Sequence, residues 1–444
     1  MSLPAFLKQN GHDCLFIDMS LERNWREKIQ AIRPEIIAYS ITTGRHDFYQ
    51  KLNVELKKDF SFFSIFGGPH TTFFPEFIEE EGVDSICRGE GENPLLELVE
   101  TLNKKEDPRH IKNLWIKVDG EVFRNDMRPL VDDLDTLPFV DREILNKYQH
   151  YKQIHRRMVL TGRGCPYGCS YCFNHSYNRL YRGKGDVIRR RSIDHVMKEL
   201  RMVREKYQPK RFQFIDDTFI LDEDWCLEFS DRYKKEINLP FIAYTRVNLI
   251  RETIVKSLRE AGCITMVYGI ESGNDHIRNK VLKRNVSEKQ ILEAAKIYKK
   301  YHLRTYTTNM VAIPDETLEA AFETVRLNIK CKPGYAWCSV FQPFPGTDLW
   351  KYAIEKGYLE ERKFGGELFY KASILELPHK RELENLRHLF SITVAFPFLF
   401  PIIKQLIKLP LGFLYYHLWN AHRAWCYFFE VKWIDFSELF IREK

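Results

Sequence analysis

Short apolar runs separated by amphipathic stretches fill the first hundred residues. Cys14 to Ile17, Ile36 to Ile41, Phe62 to Phe66 and Val83 to Cys87 have strand length, and periodic segments near 23–32, 46–58 and 93–103 read as helices between them. Strands alternating with helices predict a doubly wound parallel sheet. The same alternation returns later with longer helices. Met158 to Thr161, Phe212 to Ile215, Phe241 to Thr245, Thr265 to Ile270, Thr305 to Val311 and Trp337 to Phe341 make six βα units, with Ser192, Asp222 and Ser287 placed to cap helix starts. Parallel strands joined by right-handed crossovers curl into a barrel or part of one, and such barrels carry chemistry on the loops after each strand.

Between these blocks, residues 104–150 are polar and punctuated by Pro108, Pro129 and Pro138, with Asp132-Asp133-Leu134-Asp135 among them. They read as a linker with a small hairpin near 114–123. From about 366 the pattern changes again. Leu389 to Ile403 is broken by Pro397 and Pro401, and Leu406 to Trp419 contains Lys408 and Pro410, so neither run has the roughly 18 to 20 unbroken apolar residues of a spanning helix. These helices are expected to pack on the open side of the barrel and help form the substrate pocket. Lys404, Lys408, His417, His422 and Arg423 beside Trp419, Trp425 and Tyr427 also suit peripheral association with a membrane. The expected division is 1–105, a linker over 106–150, a core over 151–365 and a helical region over 366–444.

An apolar content of 44% supports sizeable cores, and a net charge of +7 spread along the chain does not indicate nucleic-acid binding. The densest basic run, Arg189-Arg190-Arg191, reads as a solvated entry to the helix after Ser192. Ten cysteines without a signal-peptide pattern point to a reducing cytoplasm, where thiols stay available to metals. Seven of them are scattered at strand and helix positions and read as small buried apolar residues.

The other three stand together. Cys165, Cys169 and Cys172 lie on one loop, Gly162 to His175, directly after the apolar Met158-Val159-Leu160. Three thiolates hold three corners of a [4Fe-4S] cubane and leave the fourth iron open, whereas an electron-transfer cluster is normally closed by a fourth cysteine. His175 offers the alternative of a Cys3His zinc site, but structural zinc usually sits on a short knuckle with paired ligands. The C-x3-C-x2-C spacing, with Tyr171 before the last cysteine, resembles the signature of radical S-adenosylmethionine (SAM) enzymes, whose open iron takes the amino and carboxylate groups of SAM.

That resemblance gives the strand ends their expected roles. Asp216 or Asp217 would meet the SAM amino group, Arg246 its carboxylate, and Glu271 with Ser272 the ribose. Asp216 and Asp217 also suit helix capping, and Arg246 a structural strut. Ala312-Ile-Pro314-Asp-Glu-Thr317 stands where the family has Gly-x-Pro-Gly-Glu-Thr, with alanine and aspartate in place of two glycines. Gln342 to Thr347 is similar to the closing Pro-x-Pro-Gly-Thr segment.

The front block resembles the cobalamin-binding domain of the B12-binding radical SAM family, through Gly67, Gly68 and His70 and then Glu90, Gly91 and Glu92. The Asp-x-His-x-x-Gly motif is absent, which implies cobalamin held without a protein histidine on cobalt. The family's first strand and its glycine-rich turn do not precede the helix that begins at Met1, so either the start is truncated or the sheet lacks a central strand and with it the basis for binding cobalamin.

The resemblance implies an α/β protein: a Rossmann-like sheet, a partial (β/α)6 radical SAM barrel and a helical C-terminal region. It implies a [4Fe-4S] cluster that cleaves SAM to a 5′-deoxyadenosyl radical, cobalamin-dependent methyl transfer to an unactivated carbon, a small-molecule or lipid substrate, and a flavodoxin or ferredoxin as electron donor. The alternatives are a cobalamin-independent radical reaction, such as carbon–carbon coupling, cyclisation or sulfur insertion, and a non-catalytic iron–sulfur or zinc protein.

Overall fold

The structure is a computed structural model that describes residues 1–360 and 372–434. It divides into two compact units, one of residues 1–152 with 181–186, the other of residues 153–180 with 187 onward.

In the first unit, β1 (Ile36–Ser40), β2 (Phe63–Gly67) and β3 (Ser85–Cys87) run parallel in that order. Alternate side chains of β2 face opposite layers, as strand geometry requires. Phe66 packs with Ile29, Leu52 and Leu56 of the helices Trp25–Ile32 and His46–Asp59. Ile65 packs with Leu7, Leu95 and Leu98 of the helices Ser2–Gln9 and Glu92–Asn103. Both faces are covered, so the sheet is doubly wound as expected.

Two expectations are corrected here. The hairpin β4 (Leu114–Val118) and β5 (Glu121–Arg124) is not part of a linker: β4 pairs antiparallel with β3 and extends the same sheet to five strands. Nor is Cys14 to Ile17 a strand. A strand needs a neighbour for its backbone groups, and here side chains supply the partners instead. Lys147 Nζ donates to Phe16 O, and the Tyr148 hydroxyl, which donates its proton to Glu22, accepts from Asp18 N at 2.8 Å and lies 3.3 Å from Phe16 O.

In the second unit, β6 (Arg156–Val159), a two-residue ribbon of β7 (Gly162–Arg163) and β8 (Arg189–Arg190), β9 (Arg211–Phe214), β10 (Phe241–Thr245), β11 (Cys263–Glu271), β12 (Arg304–Val311) and β13 (Tyr335–Val340) follow in sequence. β6 and β9 to β13 form one parallel sheet in chain order, with β6 and β13 at its two edges. This is the expected partial barrel of six βα units. Its helices start where local chemistry places them. Ser192, Asp222 and Ser287 accept from the backbone N–H three residues on, at 3.1, 3.0 and 3.2 Å, and Ser287 forms a capping box with Gln290.

Arg189 to Arg191 are not the solvated run expected. Arg189 is buried, Arg190 lies over the Trp225 ring at 4.3 Å and donates to Phe219 O, and Arg191 pairs with buried Glu199 at 2.6 Å.

The C-terminal helix Lys380–Ala395 buries Leu383, Leu386, Leu389 and Phe390 against Ala336, Cys338 and Val340 of β13. The segment after helix Gly412–Trp425 crosses the N-terminal ends of the strands, opposite the loops that carry chemistry. Arg156 donates to Trp433 O, Arg211 to Lys432 O, and Thr265 to Val431 O. That segment therefore closes the bottom of the barrel. Cys87, Cys226, Cys263, Cys331, Cys338 and Cys426 are buried, and Cys14 is half-buried.

Candidate active site

The cysteine loop leaves the C-terminal end of β6 and is held from several sides. Asn178 donates to Cys165 O at 2.8 Å, Cys172 N to Cys169 O at 3.1 Å, and Ser170 Oγ to Val281 O at 2.6 Å. Arg246, directly after β10, is buried and stacks on Tyr167 with its guanidinium 3.9 Å from the ring centroid. From there it donates to Cys169 Sγ at 3.2 Å, to Asn248 Oδ1 at 2.8 Å and to Arg284 O. Cys165 Sγ lies 3.9 Å from Thr218 Oγ1. Burial pushes the Cys172 thiol up to about 12 and raises that of Cys165, and each thiol is within electrostatic reach of Cys169.

Three soft thiol donors on one loop, with a cationic N–H already turned to one of them, fit an iron–sulfur cluster. They do not fit the zinc alternative. His175, the fourth ligand that zinc would need, instead turns its Nε2 to Asp348 at 3.4 Å.

The structure separates the two aspartates after β9. Asp216 is buried and accepts from Thr161 N at 3.0 Å and Thr161 Oγ1 at 2.7 Å, which ties the ends of β6 and β9 together. Burial raises its carboxyl, and its Oδ2 is buried without a protein partner. Asp217 is exposed and lies within electrostatic reach of Cys165 and Cys172. Asp217 is thus the one presented to the cysteine side.

Glu271 ends β11 at a break in register with β12, and its backbone is left-handed at φ 65°. Bulges of this kind re-aim side chains beside active sites. The carboxylate folds back over Gly269, where a Cβ would stand 2.0 Å from Glu271 Oε1, so a side chain at 269 would push the carboxylate from this position. Thr308 donates to Oε1 at 3.2 Å, and Arg284 Nη1 lies 3.4 Å from the same oxygen. Burial raises the Glu271 carboxyl, with Arg284 pulling the other way. Ser272 is buried, accepts from Asn274 N at 3.3 Å, and gives its carbonyl to Arg278 at 3.0 Å.

Two arginines escaped the sequence reading. Arg284 is buried and bridges the cysteine loop to β11, donating to the Tyr171 hydroxyl at 2.6 Å and to Gly269 O at 2.7 Å. Its Nε is buried with no protein partner. Burial alone would lower its pKa, but Tyr171 and Glu271 raise it, so it stays charged. Arg278, 1% exposed, holds the carbonyls of Ser272, Gly273 and Val286. Both stand in a polar, lysine-rich stretch that reads as surface.

The residues expected to meet cobalamin lie in the first unit, at the C-terminal ends of β2 and β3. Gly67 closes β2, and Gly68 (φ 99°) precedes the short helix Pro69–Phe73. A Cβ at Gly68 would stand 2.8 Å from Ile41 O, so the turn packs directly on backbone. His70 is buried, lies 3.1 Å from Thr43 Oγ1, and stacks on His46 at 3.9 Å between ring centroids. Burial first, and then His46, lowers its pKa to about 3. It supports the turn from within. Glu90 N donates to the Tyr181 hydroxyl at 3.2 Å and Glu90 Oε2 accepts from Val131 N at 3.1 Å. Gly91 precedes the helix that Glu92, itself buried, begins. A glycine-lined, narrow-turned strand end of this kind fits a bulky planar cofactor.

Comparison with known proteins agrees with this layout. The model of the radical SAM superfamily matches residues 159–327, and that of the B12 binding domain matches residues 1–99. A protein of Pyrococcus horikoshii described as an uncharacterized methyltransferase is 32% identical, over 80% of this chain and 78% of its own. An anaerobic magnesium-protoporphyrin IX monomethyl ester cyclase of Rubrivivax gelatinosus is 24% identical, over 89% of this chain and 77% of its own. Among solved structures, the radical SAM methyltransferase TsrM of Kitasatospora setae, with tryptophan and a SAM analogue bound, shares the fold at TM-score 0.68 and 16% identity, covering 80% of this chain and 72% of its own.

Proposed function

This chain belongs to the B12-binding radical SAM family, and we propose that it transfers a methyl group from cobalamin to an unactivated carbon of a small molecule. The observation that carries the reading is the three-cysteine loop at the C-terminal end of a six-stranded parallel sheet, with Arg246 turned to Cys169 and the Glu271–Arg284–Tyr171 cluster buried beside it. When bound, the [4Fe-4S] cluster supplies the electron that cleaves SAM, and cobalamin carries the methyl group.

The chain's own residues bind and orient. Cys165, Cys169 and Cys172 hold the cluster, and Arg246 lowers the charge density on the Cys169 sulfur through its N–H. Asp217 receives the SAM ammonium. Glu271, anchored by Arg284 and Thr308, accepts from the ribose with the oxygen those two leave open, and Ser272 fixes the turn behind it. Arg246 keeps further donors for the SAM carboxylate. Gly67, Gly68, Gly91 and the Glu90–Glu92 backbone form the cobalamin cradle, with His70 packing it from below. A flavodoxin or ferredoxin delivers the electron, and the apolar C-terminal helices suit a peripheral membrane contact.

Anaerobic reconstitution tests the reading. About four irons per chain, bound corrinoid, 5′-deoxyadenosine release on reduction and label transfer from methyl-labelled SAM are the expected results. Cys169→Ala should keep the fold and lose SAM cleavage. Retained cleavage in that variant would overturn the cluster assignment. Cleavage without methyl transfer would favour a cyclisation such as the one named for the Rubrivivax relative.

A further inference from the structure

The outer surface of the C-terminal helices breaks the rule that a surface helix turns a polar face to water. Of the 19 exposed large apolar side chains among the described residues, 11 lie between Phe396 and Phe429. Phe413 is 81% exposed, Phe398 74%, and Ile402 and Trp425 56% each. On helix Gly412–Trp425 the inward positions are Tyr415 and Trp419, yet the outward ones are also apolar, including Phe413, Leu414, Leu418 and Trp425. The patch is continuous: Phe396 lies 6.2 Å from both Phe398 and His422 between ring centroids, and Trp425 lies 4.2 Å from Phe429. Contiguous apolar surface on this scale marks an interaction site.

Charge selects the occupant. From Asn385 to Phe429 the chain contains no aspartate or glutamate, whereas Arg387, Lys404, Lys408 and Arg423 fall within it. Lys404 lies over the Phe400 ring at 4.9 Å, and Lys432 over Phe428 at 5.5 Å, so cations border the aromatic surface. Within that stretch a second copy of the chain would set Lys404 and Lys408 against the same lysines with no carboxylate between them, which a self-complementary interface does not favour. The exposed Glu430 stands just past its end beside Lys432. A bilayer with anionic headgroups offers an apolar layer beneath a negative one. No helix among the described residues is long and apolar enough to cross a membrane, so the contact lies in the interface plane.

We propose that this face, formed by residues 396–429, docks the protein on an anionic lipid surface. The test is co-sedimentation of the full-length chain with vesicles of phosphatidylcholine alone and of equal parts phosphatidylcholine and phosphatidylglycerol. Mixed vesicles should bind at least about tenfold more tightly, a preference that high salt removes. The double variant Phe398→Ser, Phe413→Ser should bind both vesicle types at least about tenfold more weakly, and Lys408→Glu should erase the preference for anionic lipid. SAM cleavage in solution should be unchanged in both, which separates this proposal from the catalytic one. Absence of binding to either vesicle, variants that bind like the parent, or a dimer by light scattering that Phe398→Ser, Phe413→Ser dissociates would each overturn it.

Discussion

The residue before the first cluster cysteine gives the sharpest test of how backbone packing sets the site. Gly164 has φ 95°, and a Cβ built there would stand 1.8 Å from Val187 O and 2.8 Å from Val187 C. Real Cβ atoms essentially never approach another atom closer than 3.0 Å, so Gly164→Ala must open the contact by about 1.2 Å. The obstacle is backbone, which cannot swing aside as a side chain would. Left-handed backbone costs an alanine about 1 to 2 kcal/mol, and forced overpacking a further 1 to 3 kcal/mol, giving roughly 2 to 5 kcal/mol in all. The displacement falls on Cys165, the next residue. A misplacement of about 1 Å is enough to cost about a hundredfold in rate. Urea unfolding, iron content after reconstitution and 5′-deoxyadenosine release should therefore fall together. A Gly164→Ala protein with the parent's unfolding midpoint, iron content and SAM cleavage would refute the account of the loop.

The aspartate pair should divide its roles. Asp216→Ala should cost about 1 to 3 kcal/mol in urea unfolding, through its bonds to Thr161, whereas Asp217→Asn should leave stability within about 0.5 kcal/mol and weaken SAM binding about tenfold by calorimetry. The reverse pattern would exchange the assignments. Arg284→Met should destabilise by about 3 to 5 kcal/mol because it leaves Glu271 buried without its cation, and Glu271→Gln added to it should recover part of that loss. Arg284→Lys should not substitute, since one ammonium cannot serve both the Tyr171 hydroxyl and Gly269 O; full stability in the lysine variant would count against the bridge. Glu316, buried with Oε1 unpartnered, has its carboxyl pushed up to about 8 from 4.5 by burial. Between those values the folded state holds a proton that the unfolded state has lost, so stability falls as pH rises from about 4.5 to about 8 and is level above. Glu316→Gln should flatten that part of the profile and stabilise the protein by several kcal/mol at pH 8; an unchanged slope would place the titration elsewhere.

Most of the architecture could be read from the chain because its signals are local. Apolar runs of strand length, helix caps at Ser192, Asp222 and Ser287, and three cysteines on one loop each report through a few neighbouring residues. What escaped depends on partners far away in sequence. Cys14 to Ile17 has strand composition, but composition does not supply a neighbouring ladder, and Lys147 and Tyr148 take up its backbone instead. The hairpin at 114–124 was visible, yet its membership of the front sheet rests on pairing with β3 nearly thirty residues earlier. Arg278 and Arg284 sit among Lys280, Lys283 and Asn285, a pattern that reads as solvated, and only the fold turns them inward. The one available hint was their alternation with Ile277, Val281, Leu282 and Val286, which places charged residues inside an otherwise apolar stripe.

Backbone strain marks the C-terminal ends of β11 and β12. Left-handed residues other than glycine occur at helix C-caps, as at Arg33, Gln208 and Lys332, where they are routine. Glu271, Ala312 and Asp315 are different: all three follow or end strands β11 and β12, with φ of 65°, 62° and 64°. Ala312 and Asp315 occupy the two positions where the family pattern has glycine, and both keep the conformation that glycine would adopt at less cost. At Asp315 the replacement brings compensation, since its carboxylate accepts from the hydroxyls of Tyr352 and Tyr358. Ala312 has no such bond to offer and is held by burial alone. Strained residues persist where the surrounding structure over-determines them, and they cluster at ligand sites. The turn after β12 thus holds its left-handed shape at both positions without glycine, by burial at Ala312 and by two tyrosine hydroxyls at Asp315.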